Sequence, residues 1–157
     1  MVKAIGITGK FYFNLDGNVG VASQNNRDDA QLVQLGYFCM ARNPQVRSKH
    51  PDMVELALKV QPGAIYHGDR DDPLTLAIRK HEQLKGGTQD GRVSKIQSEA
   101  TATYSQGNRH IILILCELIA EHNPDIYPRI ERHPKCPPLL AEQVKLISNL
   151  SKGIFVP

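Results

Sequence analysis

Apolar side chains recur at helical spacing in five segments of the chain, which are separated by glycine, proline and asparagine. A repeat of three to four residues is typical of helices that bury one face. The pattern predicts helices over residues 28–41, 51–60, 73–85, 109–122 and 138–150. The buried face of the helix at 28–41 is expected to carry Leu32, Leu35, Gly36 and Cys39. That of the helix at 51–60 is expected to carry Met53, Leu56, Ala57 and Val60, and that of the helix at 138–150 Leu140, Val144, Ile147 and Leu150.

The third of these helices has the clearest boundaries. Asp72 can cap it, and Pro73 suits the first helical position, where no backbone N–H is needed. The glycine at position 86 can end the helix in the left-handed conformation. Its inward face is predicted to carry Leu74, Ala77, Ile78 and His81.

Strands are predicted mainly at the start of the chain. Residues 2–15 are rich in Val, Ile, Phe and Tyr around Gly9-Lys10, which predicts a hairpin with a glycine-first tight turn. Residues 95–104 alternate loosely, so a strand and an irregular surface segment suit them about equally, and we favour a partial strand. The tail at residues 154–156 could add an edge strand.

Three other segments are interpreted from their composition. Residues 109–122 form a near-continuous apolar run that would suit a buried strand, but the glutamates within it favour a central helix capped by Asn108. Residues 42–50 show no apolar period and are predicted to be an exposed connection. The four prolines within residues 124–137 predict a stiff loop without regular structure.

The chain therefore has an α+β pattern, with about five helices around a small antiparallel sheet. Its 157 residues fit a single domain over residues 1–157. The 41% hydrophobic and 22% charged residues are ordinary for a globular protein. A net charge of +3 is far below that of a dedicated nucleic-acid binder, so nucleic acid is not an expected partner.

Three cysteines without a close pair indicate reduced thiols and no disulfide framework. The first residues carry no signal-peptide pattern, so we expect synthesis as a cytoplasmic protein, with export by a signal-independent route left open. The most apolar run, residues 111–120, is about half of the roughly 20 residues that a membrane span needs, so no membrane insertion is expected. The compartment itself stays unknown from the sequence.

Two pieces of the chain resemble the small helical peptidoglycan-binding domain found beside many bacterial and phage cell-wall hydrolases. In the first, Asp28-Asp29 precedes Leu32-Val33-Gln34-Leu35, as an acidic cap precedes a Val-Gln-x-Leu step in that family. In the second, residues 75–82 read TLAIRKHE, which is similar to the family's Thr-x-x-Ala-Ile-x-x-Phe-Gln helix. Gln89-Asp90-Gly91 then stands where the family often has Asp-Gly. The resemblance covers about residues 19–95.

The resemblance implies a helical core of the same kind and a non-catalytic binding function. In related domains the ligand groove lies near the loop that residues 67–71 occupy here. We therefore expect the ligand-binding residues to be Tyr66, His67, Asp69, Arg70 and Asp71. The implied ligand is bacterial cell-wall peptidoglycan, and the alternative is a protein partner bound by the same scaffold in an immunity, adaptor or secretion-associated role.

The residues themselves allow other interpretations of this loop. The sequence YHGDRDD could be a solvated loop with Asp72 as a helix cap, a ligand contact, or a cation site. A calcium loop would need a further acidic residue about six positions after its glycine, and none is in register. A hydrolase built around His67 and these carboxylates is a third hypothesis.

Cysteine and histidine chemistry is predicted to be structural. His133 and Cys136 have half the spacing of a zinc site, but no second close pair completes four ligands. Cys116 lies in an apolar run and is expected to be an inert buried thiol, and His81 is expected to be a hydrogen-bonded core histidine. No nucleophile elbow, metalloprotease motif or phosphate-binding loop is present. We therefore predict no catalytic residue, no metal and no cofactor.

Overall fold

The structure is a computed structural model, and it describes residues 1–98 and 109–147. The α+β prediction is confirmed: this part of the chain holds six helices, five of them of seven or more residues, and two two-stranded antiparallel sheets. The strands are β1 (Lys3–Ile7), β2 (Lys10–Asn14), β3 (Val19–Gly20) and β4 (Arg92–Val93). The helices are α1 (Arg27–Ala41), α2 (Pro44–Lys49), α3 (Pro51–Ala57), α4 (Pro73–Lys85), α5 (Ile111–His122) and α6 (Pro138–Lys145).

The predicted N-terminal hairpin is confirmed, but its turn lies one residue earlier than expected. Strands β1 and β2 pair antiparallel, with Ile5 opposite Tyr12. The turn residues are Thr8 and Gly9, both at positive φ (50° and 78°), and Lys10 already belongs to β2. Two positive-φ residues match the twist of the flanking strands, so glycine comes second and not first in this turn.

The second sheet joins two segments that are far apart in sequence. Val19 of β3 lies opposite Val93 of β4, and Gly20 lies opposite Arg92. A Cβ on Gly20 would come within 2.0 Å of the Gly91 carbonyl oxygen, so glycine is required for this close approach.

The partial strand predicted after β4 is absent over residues 95–98, which are irregular. Asparagine side chains replace the partner strand there. Asn14 accepts from the Ile96 N–H at 3.0 Å and donates to the Ile96 carbonyl at 2.9 Å, and Asn18 accepts from the Lys95 N–H at 3.0 Å. The rest of that predicted strand and the predicted strand at 154–156 lie outside the described residues.

Helix α1 lies at the centre of the fold, and 13 of its 15 residues are buried. It packs against α3, α5 and α6. The predicted inward face is therefore buried, and most of the other faces of α1 are buried as well. Its polar side chains hold other segments. Asp29, fully buried, accepts from the N–H groups of Asp16 and Gly17 at 3.0 and 2.9 Å.

Gln34 of α1 ties down the segment that follows α3. Its Oε1 accepts from the Gly63 N–H and its Nε2 donates to the Ala64 carbonyl, both at 2.9 Å. The Gln34 amide thus bonds to the backbone as a neighbouring β-strand would, with one accepted and one donated hydrogen bond. Both polar groups of the buried amide are satisfied. Gln31, one turn earlier, accepts from the Leu140 N–H at 2.8 Å and so fixes the start of α6.

Helix α4 begins and ends where the sequence predicts. The Asp72 carboxylate accepts from the Leu74 N–H at 2.8 Å, and Gly86 ends the helix at φ 79°. Leu74, Ala77, Ile78 and His81 are all buried.

Replacing Asp72 with alanine should lower the free energy of unfolding by about 1 kcal/mol, because the Leu74 N–H would lose its acceptor at the helix terminus. Urea denaturation followed by circular dichroism measures the change. Asp71→Ala is the matched control, since Asp71 is exposed and no cap depends on it. Equal losses in the two variants would show that capping by Asp72 contributes nothing.

Two segments predicted to be irregular contain short helical structure. Residues 42–50 hold the helix α2 and are not an exposed irregular connection. The Asn43 side chain starts this helix, because it accepts from the N–H groups of Gln45 and Val46. The predicted loop at 124–137 contains a 3-10 turn, Ile130–Arg132.

Helix α5 confirms the helical interpretation of the apolar run; it begins after His110, whereas the predicted cap, Asn108, lies outside the described residues. In α6, Leu140 and Val144 are buried and Ile147 is partly buried, whereas Leu150 lies outside the described residues.

Candidate functional site

A cavity of about 300 Å³ lies between the start of α1 and the segment that precedes α4. The α1 side contributes polar groups, and the other side contributes an aliphatic, an aromatic and an imidazole side chain. The residues that matter for its chemistry are Asn25, Arg27, Gln31, Ile65, Tyr66 and His67. Its wall therefore combines apolar surface with hydrogen-bonding groups, as small-molecule sites commonly do.

The aromatic side of this cavity is fixed by a hydrogen bond to α4. The Tyr66 hydroxyl lies 2.6 Å from Thr75 Oγ1, and Thr75 is completely buried. Burial raises the pKa of Tyr66, so the phenol stays neutral at physiological pH. The hydrogen bond and the burial of Tyr66 thus fix this side of the cavity against α4.

The α1 side is fixed by an asparagine. Asn25 accepts from the Gly20 N–H at 2.7 Å and donates to the Gly20 carbonyl at 2.9 Å, which binds the turn before α1 to β3. Gly68 lies against the same group, because a Cβ on it would meet the Gly20 carbonyl oxygen at 2.7 Å. Arg27 is exposed beside this turn and can contact a ligand.

The structure separates the five predicted ligand residues into two groups. Tyr66 and His67 line the cavity. Asp69, Arg70 and Asp71 are exposed and lie outside its lining. A role in binding stays a prediction for all five residues.

Sequence reasoning missed the lining residues that α1 and the turn before it contribute. Arg27 and Gln31 belong to a helix whose packing partner the sequence does not reveal. In the sequence, Asn25 is one of several residues before α1 that are typical of helix caps. No local pattern indicates that it lies beside residue 67.

The two helices that carry the family resemblance touch through a buried polar contact. Tyr37 of α1 has its hydroxyl 2.9 Å from His81 Nδ1 on α4, with the rings edge to face at 5.7 Å. Burial, aided by the charge of Lys85, lowers the pKa of His81 to about 4. The prediction of a hydrogen-bonded core histidine is confirmed.

A second cleft, of about 310 Å³, lies where α4 ends and α5 begins. It is lined by charged and titratable side chains, among them Glu82, Lys85, Asp90, Arg92, Arg109 and His110. Glu82 accepts from the Gly91 N–H at 2.8 Å, and burial together with Asp90 raises its pKa to about 7. Burial also lowers the pKa of Lys85 and of His110. Such a cleft can pair with a ligand that carries charge of either sign.

Arg109 is shared between this cleft and the hairpin. Its guanidinium forms an ion pair with Glu117 at 2.7 Å and donates to the Tyr12 hydroxyl at 2.9 Å. Lys85 donates to the Arg109 carbonyl. The cations of the cleft are therefore positioned by the fold before any ligand arrives.

Comparison with known proteins finds no matching family model, no similar curated protein and no similar solved structure. The peptidoglycan-binding resemblance over residues 19–95 thus stays a prediction from sequence motifs. Within residues 1–98 and 109–147, none of the helices combines the length and the apolar character that crossing a membrane requires.

Proposed function

We propose that the protein is a non-catalytic binding module for bacterial cell-wall peptidoglycan, with the cavity beside His67 as its ligand site. The observation that carries the proposal is that α1 and the segment leading into α4 meet at one cavity. The first motif that resembles peptidoglycan-binding domains lies in α1, and the second begins at Thr75 of α4, whose hydroxyl bonds the Tyr66 hydroxyl of this cavity wall. In those domains the ligand groove lies near the loop that residues 67–71 occupy here.

The chemistry of the wall supports this ligand class. Peptidoglycan offers sugar rings, amides and the carboxylates of its peptide stems. Arg27 can form two parallel hydrogen bonds with a carboxylate, and His67 can donate or accept at a hydroxyl or amide. Ile65, 74% exposed, gives apolar surface for a sugar face or an aliphatic stem residue, whereas Tyr66, 7% exposed, adds little to it. The volume suits one such unit and not a long glycan segment.

Co-sedimentation with purified insoluble peptidoglycan tests the proposal. The wild-type protein should sediment with the polymer at low salt, and Arg27→Ala combined with His67→Ala should weaken binding about tenfold or more, equivalent to about 1.4 kcal/mol. Both side chains are exposed, so the double variant should keep its fold, which circular dichroism checks.

Arg47→Ala is the matched control for lost charge, since Arg47 lies exposed on α2 and is not part of the cavity wall. It should sediment like the wild type. A wild-type protein that stays in the supernatant, or an Arg47→Ala variant as weak as the double variant, contradicts specific binding at this cavity.

The charged cleft favours a second function, that of a protein-interaction component. Its cations and carboxylates could pair with charged side chains of a partner protein, and such pairs give specificity and fast association. Lysate capture with immobilised protein, compared with an Arg92→Ala variant, separates the two functions. A stoichiometric protein partner lost in that variant favours the second function, while peptidoglycan binding unaffected by Arg92→Ala favours the first.

A further inference from the structure

Three side chains with metal-binding donor atoms converge on the side of α1 where it meets the end of α5. Cys39 comes from α1, His122 is the last residue of α5, and His133 follows the 3-10 turn. One donor atom from each lies within 4.8 Å of the other two. We infer that Cys39, His122 and His133 form a binding site for a zinc-like divalent transition metal ion.

The distances are close to those of a bound ion. His133 Nε2 lies 3.0 Å from His122 Nδ1 and 4.0 Å from Cys39 Sγ. A tetrahedral zinc ion with ordinary bond lengths sets its nitrogen ligands about 3.3 Å apart and a nitrogen and a sulfur about 3.6 Å apart. The two distances that involve His133 differ from these values by a few tenths of an ångström, and the donor atoms of Cys39 and His122 lie within 4.8 Å of each other.

The donor set also selects the kind of metal. One thiolate and two imidazoles suit zinc and its neighbours, whereas calcium and magnesium prefer oxygen ligands. A hydrogen bond between the two imidazoles would account for the histidines alone. It does not account for the thiol within the same group, and the thiol is what makes the set suitable for a soft or borderline ion.

The surroundings leave a path for the ion and support the ligands. Cys39 and His133 are buried, while His122 is exposed, so the ion can enter from solvent and keep a water as its fourth ligand. The Phe38 ring stands edge-on to both imidazoles, with centroids 6.1 and 6.0 Å away. This ring gives the site one apolar wall, which limits water access.

Binding has a cost that the structure makes visible. The Lys135 N–H donates to His133 Nδ1 at 3.0 Å, so His133 carries its proton on Nε2 in this structure. For Nε2 to bind metal, that proton must move to Nδ1. The protonated Nδ1 can no longer accept from the Lys135 N–H, which must then form its hydrogen bond with water. This lost bond is a cost that metal binding must offset, since the Lys135 N–H to His133 Nδ1 contact is only partly exposed. Burial also keeps the pKa of the Cys39 thiol at about 12, so its proton must leave for solvent as the metal–sulfur bond forms.

Cobalt(II) titration of the reduced protein tests the site, because cobalt replaces zinc and reports a thiolate ligand through a near-ultraviolet charge-transfer band. The wild type should give this band with saturation at one equivalent, and zinc should displace the cobalt. Cys39→Ser should abolish the band, and His122→Ala should weaken cobalt binding at least tenfold. Cys136→Ser is the matched control and should keep the band, since Cys136 is not one of the three converging residues.

His122→Ala keeps the test decisive if Cys39→Ser does not fold, because His122 is exposed and this variant should keep its fold, which circular dichroism checks. Absence of the charge-transfer band in the wild type overturns the inference. It is also overturned by a band that survives Cys39→Ser, by one that is lost in Cys136→Ser, or by unchanged affinity in His122→Ala.

Discussion

The double variant Tyr37→Phe, His81→Leu should be less sensitive to acid than the wild type. Between pH 7 and pH 4 its free energy of unfolding should fall by about 3 kcal/mol less than that of the wild type. The folded-state pKa of His81 is lowered from 6.5 to about 4, because its buried ring resists charging. Below pH 6.5 the unfolded chain takes up a proton that the folded protein does not. The contribution of His81 to stability is therefore complete above that pH and is lost as the pH falls toward 4.

Both partners must be changed together, because removing one would leave a buried polar group without its hydrogen bond. Urea unfolding of the wild type and of the double variant at several pH values measures the effect. The informative quantity is the difference in unfolding free energy between the two proteins as a function of pH. A difference that does not change between pH 7 and pH 4 would rule out a neutral buried histidine.

Glu82, the next residue on α4, should show the opposite behaviour. Its folded-state pKa is raised from 4.5 to about 7, so the folded protein holds a proton that the unfolded chain releases. Its contribution is thus present at low pH and is lost as the pH rises through 7. The pH dependence that His81 gives to stability is opposite in sign to that of Glu82, so the two partly cancel in the wild type. Each is measured as the difference in unfolding free energy between the wild type and the variant that lacks that group. Glu82→Gln keeps an acceptor for the Gly91 N–H and is the comparison that removes only the ionisation.

Gly36→Ala should lower the free energy of unfolding by about 2 kcal/mol or more, although alanine is the better helix former by about 1 kcal/mol. A Cβ at position 36 would come within 2.7 Å of the Leu115 Cβ. That atom is fixed to the backbone of α5 and cannot rotate away, so α1 and α5 would have to separate. Thermal and urea unfolding measure the loss.

Gly6→Ala is the matched control for this substitution. Gly6 lies in β1 without a positive φ, and the nearest atom to an added Cβ is the Lys10 carbonyl oxygen at 3.9 Å. It should unfold within about 0.5 kcal/mol of the wild type. If Gly36→Ala is as stable as Gly6→Ala, the close approach of α1 and α5 is not required for folding.

Much of the secondary structure follows from local sequence rules. Asp72 and Gly86 bound α4 as expected, because caps act on neighbouring backbone groups that the sequence itself supplies. The rules fail where a long-range contact takes over. Residues 95–98 alternate like a strand, but the side chains of Asn14 and Asn18 satisfy part of their backbone instead. No local pattern reveals a partner that lies so far away in the sequence.

The candidate sites show the same division. Tyr66 and His67 were predicted because the family resemblance places a ligand groove near their loop, and the structure puts both in the wall of one cavity. Arg27 could not be predicted in this way, because its place beside that loop depends on how α1 packs.

The three converging metal donors were equally hard to predict. Cys39 lies on a different helix from His122 and far from His133 in the sequence, so the spacing of the group resembles no zinc motif. The nearby pair His133 and Cys136 has a suggestive spacing, but the thiol of the converging group belongs to Cys39. The three side chains meet only through the tertiary packing of α1, the end of α5 and the segment after the 3-10 turn.

The double hydrogen bond of Gln34 bears on how quickly a ligand could be taken up. Because one glutamine amide holds residues 63 and 64 in the free protein, the cavity wall is built before an encounter occurs. Little conformational entropy is then lost on association, and the on-rate should be set by diffusion and orientation and not by loop closure. Gln34→Leu would cut both bonds, so association with the same ligand should become slower while Arg27 and His67 remain in place.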